Sequence, residues 1–232
     1  AEDDVICGID LEVKPGSIVA LVGHTGCGKT TISRILTRAY EGYRGSVTLD
    51  GVEVSEIHPL HLRRHIAAVH QDVHILPETV RFNTDLGNAE ISPAQSQEAA
   101  ELVHAWQFIQ AFPEGWDHLL GEGGGKLSGG EAQLLTFART MAHDPTVIIL
   151  DEATAAVDSV TESLVQNAVA RILERKTVIV IAHRLSTLNR CDEIIIVEHG
   201  RIVEQGARSL LAEDPNARFH KLLKTDTGEV LT

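Results

Sequence analysis

The residues Gly23-His24-Thr25-Gly26-Cys27-Gly28-Lys29-Thr30-Thr31 carry the clearest chemistry in this chain. They read G-x-x-x-x-G-K-T, a phosphate-binding loop. Glycines let successive backbone N–H groups point inward, and the helix that follows adds partial positive charge at its start. Lys29 brings a full positive charge to the β- and γ-phosphates of a nucleotide, and the Thr30 hydroxyl is a ligand for Mg2+. A second Gly-dense stretch, Gly121 to Gly130, also opens a helix and carries the Ser128 hydroxyl. A Gly-rich helix start is again an anion-binding geometry, set against the simpler reading of a flexible linker. Asp151-Glu152 closes the apolar run Val147–Leu150. Two carboxylates at the carboxyl end of a buried strand lie where α/β sheets bind ligands. One can hold Mg2+ and the other can act on water. Gln71 and His183 stand in the same position after two further apolar segments. Phosphoryl transfer to water needs little more than positioning, charge neutralisation and an oriented water.

The flanking elements suit this chemistry. Ser17–Val22 is strand-like, and Ile32, Ile35, Leu36 and Ala39 recur at the spacing of an amphipathic helix that runs on to glycines 42 and 45. Residues 1–22 alternate loosely through Val5, Ile6, Ile9, Leu11 and Val13, which predicts strands of an antiparallel sheet. Asp50-Gly51 and His199-Gly200 are hairpin signals. Ser92-Pro93 is a helix start, with Ala99, Leu102, Val103 and Trp106 as its apolar stripe. Trp106 and Trp116 are read as core of this helical region, with an aromatic nucleotide contact as the lesser option. Val147–Leu150 and Thr177–Ile181 have the apolar, β-branched character of buried parallel strands. In a parallel sheet with helical crossovers their ends share one edge, which would gather Lys29, Thr30, Gln71, Asp151, Glu152 and His183 around one Mg-nucleotide.

At 232 residues the chain can bury one large core, or one core with a subdomain. Its net charge of −13 argues against a nucleic-acid surface, because affinity there depends on Lys and Arg. Three scattered cysteines, Cys7, Cys27 and Cys191, point to a reducing compartment without a disulfide framework. Cys27 sits beside Lys29 in a nest of N–H groups, an environment that favours its thiolate, set against the equally open reading of a packed, inert thiol. Five histidines fall between His58 and His74, with His61 and His65 one helical turn apart. No Cys or carboxylate completes a metal set there, so they are read as solvated or packing side chains.

Leu127-Ser128-Gly129-Gly130-Glu131, with Gln133 beyond it, resembles the signature motif of ATP-binding cassette (ABC) ATPases. The order of phosphate loop, Gln71, signature, Asp151-Glu152, Asp158 and His183 is similar to that family over about residues 1–224. Val69-His70-Gln71-Asp72 and the stretch from Ile181 to Thr187 look most like its exporter branch, in which the domain is fused behind membrane helices. Gly121-Glu122-Gly123-Gly124 resembles the exporter loop that touches the membrane domains. The resemblance implies a P-loop NTPase of α/β class: a mainly parallel core sheet flanked by helices, an N-terminal antiparallel β-subdomain and a helical insert. It implies ATP and Mg2+ as cofactors. Residues 23–31 would wrap the phosphates, with Thr30, Asp151 and Gln71 serving the metal. Glu152 would be the general base, and His183 would steady the γ-phosphate. Ser128, Gly129, Gly130 and Glu131 would face the γ-phosphate of ATP held by a partner chain, and Asp158 would lie at the dimer interface.

The implied domain division is a RecA-like core at 1–85 and 143–224, a helical subdomain with the signature at 86–142, and a tail at 225–232. Implied partners are a second ABC ATPase domain, in a homodimer or heterodimer, and transmembrane domains on the same full-length chain. The implied location is the cytoplasmic face of a membrane. The family usually places an adenine-stacking aromatic upstream of the segment matching Val5-Ile6. No Tyr, Trp or Phe precedes Tyr40, so the match puts that residue before Ala1. A DNA-repair or chromosome-organising ABC ATPase would need a long coiled-coil insertion, and no heptad run occurs. A non-hydrolysing regulatory half of a heterodimer is a further alternative; against it, the consensus positions are filled. A kinase or GTPase would leave Ser128–Glu131 and His183 unexplained.

Overall fold

The computed structural model describes residues 5–70, 72–125, 127–151, 159–182 and 185–225. Its strands are β1 (Ile18–Val22), β2 (Thr48–Leu49), β3 (Val52–Glu53), β4 (Ile66–Val69), β5 (Val147–Asp151), β6 (Thr177–Ile181), β7 (Glu193–Glu198) and β8 (Arg201–Ala207). Its α-helices are α1 (Lys29–Leu36), α2 (Pro59–His65), α3 (Val80–Asp85), α4 (Pro93–Leu102), α5 (Trp106–Ile109), α6 (Gly129–Ala142), α7 (Ser159–Leu173), α8 (Leu185–Leu188), α9 (Arg208–Glu213) and α10 (Arg218–Thr225).

Six strands form one sheet in the order β4-β5-β6-β1-β7-β8. β1 pairs in parallel with β6 on one side and β7 on the other, and β5 pairs in parallel with β6. The apolar runs explain this placement. A strand covered on both faces cannot afford alternation, and the five residues of β6, TVIVI, are all buried. β8 alternates between exposed and half-buried residues and closes the edge antiparallel to β7. The turn between them puts His199 at φ 47 and Gly200 at φ 71, the two left-handed residues that a tight hairpin requires. Asp50 and Gly51 do the same for the small antiparallel sheet of β2 and β3.

The chain divides into two compact units. The first comprises residues 1–68, 146–152 and 176–232 and contains the core sheet. Its core draws Val19, Leu21, Ile149, Ile179, Ile195 and Val197 from the strands, Ile32 from α1 and Leu62 from α2. The second comprises residues 69–145 and 153–175 and is helical, with α3 and α4 packed on α6, and α6 on α7. Among the described residues no helix is long and apolar enough to cross a membrane.

Two local expectations are corrected. Residues 5–16 form no strand. Gly8 turns the chain at φ 61, and Ile6, Leu11 and Val13 pack singly against the core instead of pairing in a ladder. The alternation therefore records burial without a partner strand. The first helix ends at Leu36, short of the glycines at 42 and 45. Arg38 takes the left-handed conformation at φ 56, and the N–H groups of Ala39 and Tyr40 both return to the Arg34 carbonyl, at 2.7 and 3.1 Å. This closes the helix as a glycine at that position would.

Candidate nucleotide site

In the first unit the phosphate loop joins β1 to α1, as its spacing predicts. Lys29 is 5% exposed. Its ammonium donates to the Gly23 carbonyl, to the His24 carbonyl at 3.0 Å and to Cys27 Sγ at 3.7 Å. The loop thus surrounds its own cation with backbone oxygens. His24, Thr25, Gly26 and Thr30 are exposed, and Thr31 is half-buried. Gly28 is the N-cap of α1 and supplies no side-chain hydrogen bond to the helix start. The first N–H groups of α1 therefore lack a side-chain acceptor of the usual kind, which suits a phosphate at that end.

The glycines are there because the backbone is crowded. A Cβ on Gly23 would fall 2.2 Å from the Val197 carbonyl oxygen and 2.7 Å from Cys27 Sγ. A Cβ on Gly28, at φ 111, would fall 2.7 Å from Ile6 Cγ2. Gly26, at φ 81, faces open space, so its requirement is conformational only. Gly200, a hairpin residue by its local sequence, also braces the loop from behind. Its N–H donates to the Cys27 carbonyl at 3.0 Å, and its own carbonyl accepts from the Cys7 N–H at 2.8 Å.

Strand register sets Asp151 level with the loop. Asp151 pairs with Ile181, and Ile181 with Leu21, so the ends of β5, β6 and β1 share one edge. With neighbouring strands ~4.8 Å apart, Asp151 stands about 10 Å across the sheet from Leu21. Oxygen donors such as the half-buried Asp151 carboxylate and the exposed Thr30 hydroxyl fit Mg2+. Beside the loop, Glu198 accepts from Arg218, and its carboxyl is held below the usual range by that hydrogen bond first, with His199 and His24 adding to the effect. Among the described residues no group of three or more His, Cys, Asp or Glu side chains could hold a metal ion. His58 instead caps α2 by accepting the Leu60 N–H at 3.3 Å, and His65 Nδ1 lies 3.3 Å from Thr146 Oγ1.

In the second unit Ser128 is the N-cap of α6. Its hydroxyl accepts the Glu131 N–H at 3.2 Å, and the Glu131 carboxylate accepts the Ser128 N–H at 2.8 Å. This capping box satisfies the two outer donors and leaves Gly129 and Gly130 between them. The S-x-x-E spacing was the available signal for it. Trp106 and Trp116, both half-buried, stack on each other with centroids 5.8 Å apart. Gln71, Glu152, Asp158 and His183 lie outside the described residues.

The family model described as ABC transporter matches residues 6–155. An ATP-dependent lipid A-core flippase of Chromobacterium violaceum is 42% identical over 223 residues, which are 95% of this chain and 38% of that protein. P-glycoprotein 14 of Caenorhabditis elegans is 43% identical over 220 residues, 95% of this chain and 16% of the relative. Among solved structures, a bacterial Atm1-family ABC exporter with ATP bound superposes with a TM-score of 0.84 at 35% identity, covering 97% of this chain and 40% of that one. The chain thus spans about two fifths of the length of the flippase and less of the P-glycoprotein. With its phosphate loop between β1 and α1 and a signature-like capping box on α6, the chain belongs to the ABC transporter family.

Proposed function

We propose that this chain is the ATP-binding and ATP-hydrolysing motor domain of an exporter. The observation that carries the reading is the phosphate loop, with Lys29 buried inside it, level with Asp151 across the parallel sheet. Residues 23–31 hold the phosphates of ATP. Thr30, Asp151 and Gln71 would hold Mg2+, which would supply positive charge to offset that of the phosphates during transfer. Glu152 takes a proton from the attacking water, and His183 steadies the γ-phosphate. Ser128, Gly129 and Gly130 of a second copy or a related domain close on the same nucleotide, with Glu131 capping their helix. Asp158 lies at that interface.

The division into a core at 1–85 and 143–224, a signature-bearing subdomain at 86–142 and a tail at 225–232 belongs to the same reading. So do attached transmembrane domains, a position on the cytoplasmic face of a membrane, and export of a substrate as the two domains close and reopen.

Glu152→Gln tests the proposal in the full chain. The variant is expected to bind ATP, to lose turnover and to accumulate as a nucleotide-bound dimer in light scattering with Mg-ATP. A variant that binds ATP yet stays monomeric refutes the sandwich, and one that hydrolyses at the wild-type rate removes Glu152 as the base.

A further inference from the structure

In the second unit a buried polar hub joins two segments that the sequence keeps far apart. Asn83, on α3, is fully buried. Its Oδ1 accepts the Leu76 N–H at 2.9 Å, and its Nδ2 donates to the Leu76 carbonyl at 2.9 Å and the Thr79 carbonyl at 3.1 Å. One carboxamide thus fixes the loop from Leu76 to Thr79. Arg139, on α6, then locks that assembly to the signature helix. Its guanidinium donates to the Asn83 carbonyl at 2.6 Å, to Asn83 Oδ1 at 3.0 Å and to the His74 carbonyl at 3.1 Å. A planar fork meeting three oxygens fixes orientation as well as distance.

The same loop is tied to the segment that precedes the signature. The Val80 N–H donates to the His118 carbonyl at 3.0 Å, and the Leu120 N–H to the Glu78 carbonyl at 3.0 Å. Gly124 faces Ile75, and a Cβ there would stand 3.4 Å from the isoleucine side chain, in ordinary van der Waals contact. Residues 74–83, which follow Gln71 in the chain, are therefore bonded on one side to residues 118–124 and on the other to α6, whose N-cap is Ser128. Packed, hydrogen-bonded elements of this kind move as one body.

We propose that Arg139 and Asn83 are positioning residues, a clamp through which the place of the loop after Gln71 sets the place of Ser128. The proposal rests on the reading above that Gln71 and Ser128 both serve ATP. The clamp touches no nucleotide; it acts on when Ser128 reaches a partner's phosphate. Loosening it slows the catalytic step and leaves binding at the phosphate loop intact.

The test uses ATP turnover and nucleotide binding of the full chain. Arg139→Lys keeps the charge and loses the fork. Asn83→Asp keeps the shape and the oxygen facing Arg139, and loses the Nδ2 donations to the Leu76, Glu78 and Thr79 carbonyls. Because it is isosteric, it keeps the test open if Arg139→Lys does not fold. Asp117→Ala, which removes the exposed Arg81–Asp117 pair of the same unit, is the control. Each clamp variant is expected to lower kcat about ten- to a hundred-fold per mole of bound nucleotide, the size of effect expected from a misplaced catalytic group. Nucleotide affinity should change by less than about two-fold, and the double variant should be no worse than the weaker single, since both break one linkage. Asp117→Ala should match wild type. Clamp variants that fold and turn over at the wild-type rate overturn the inference, as does a double variant whose losses simply multiply. A wild-type chain that binds but does not hydrolyse ATP would instead overturn the functional reading itself.

Discussion

Gly200→Ala separates conformational cost from close packing at the back of the phosphate loop. Gly200 has φ 71, and an added Cβ would stand 2.2 Å from the Val5 carbonyl oxygen and 2.9 Å from Ile6 Cα. Both obstacles are backbone, so no side chain can swing aside. The left-handed conformation alone costs an alanine ~1 kcal/mol. Relieving the clash requires residues 5–7 to move by roughly an ångström, which strains the Cys7–Gly200 and Gly200–Cys27 hydrogen bonds, each worth ~1 kcal/mol. The total is about 3 kcal/mol.

Gly51 provides the matched comparison: it has φ 81 and nothing within 4 Å of its Cβ position, so Gly51→Ala should cost only about 1 kcal/mol. The ~2 kcal/mol difference corresponds to roughly thirty-fold in the unfolding equilibrium. Chemical unfolding should be followed by far-ultraviolet circular dichroism, because both tryptophans, Trp106 and Trp116, belong to the other compact unit. Nucleotide affinity should fall for Gly200→Ala and hold for Gly51→Ala. If Gly200→Ala costs no more than Gly51→Ala, the bracing of the loop by this hairpin is refuted.

The buried cysteines should differ in reactivity. Burial, with Asp192 adding to it, pushes the Cys191 thiol up to about 12, so maleimide at pH 8 should leave it unmodified. Cys27, within reach of the Lys29 ammonium, should be modified with loss of hydrolysis and be protected by Mg-ATP; full activity after stoichiometric labelling of Cys27 would sink this. Burial, the largest cause, also holds the His143 imidazole below its ordinary range. The unfolded chain then takes up a proton near pH 6.5 that the native chain refuses, so His143 erodes stability as pH falls below that value. His143→Gln should flatten the decline between pH 6.5 and 5 in urea midpoints, and an unchanged slope would refute the assignment.

Local spacing carried the phosphate loop, the buried strands and both hairpins, because each is written in a few consecutive residues. Features that depend on distant partners were not legible. The alternation at residues 5–13 looked like strand because half-buried extended chain and paired strand share one period, and only the absence of a neighbouring ladder separates them. The helix end at Leu36 used Arg38 in a conformation normally signalled by glycine. At six residues α3 is too short to show a helical period, although Thr79 is its N-cap and accepts the Phe82 N–H at 3.1 Å. The Asn83–Arg139 hub spans 56 positions and leaves no periodic trace. A buried asparagine after an N-cap was its sole hint.

The two Gly-rich helix starts, alike in sequence, differ in what they lack. α6 begins with its outer donors met by its own Ser128 and Glu131. α1 begins at Gly28 with no side chain to cap it, and the loop's own cation is turned onto the Gly23 and His24 carbonyls. An uncapped helix end beside a buried ammonium gains most from an anion, because both the orphan donors and the charge find a partner at once. A capped end gains less, and must offer a phosphate its remaining glycine N–H groups and the free hydroxyl proton. On the proposed function, the physical order would be nucleotide first on α1, with α6 of another domain joining a phosphate already held. That order would give the weaker contact the switching role: it would form and break with the state of the γ-phosphate while the phosphate loop kept its grip on the rest of the nucleotide.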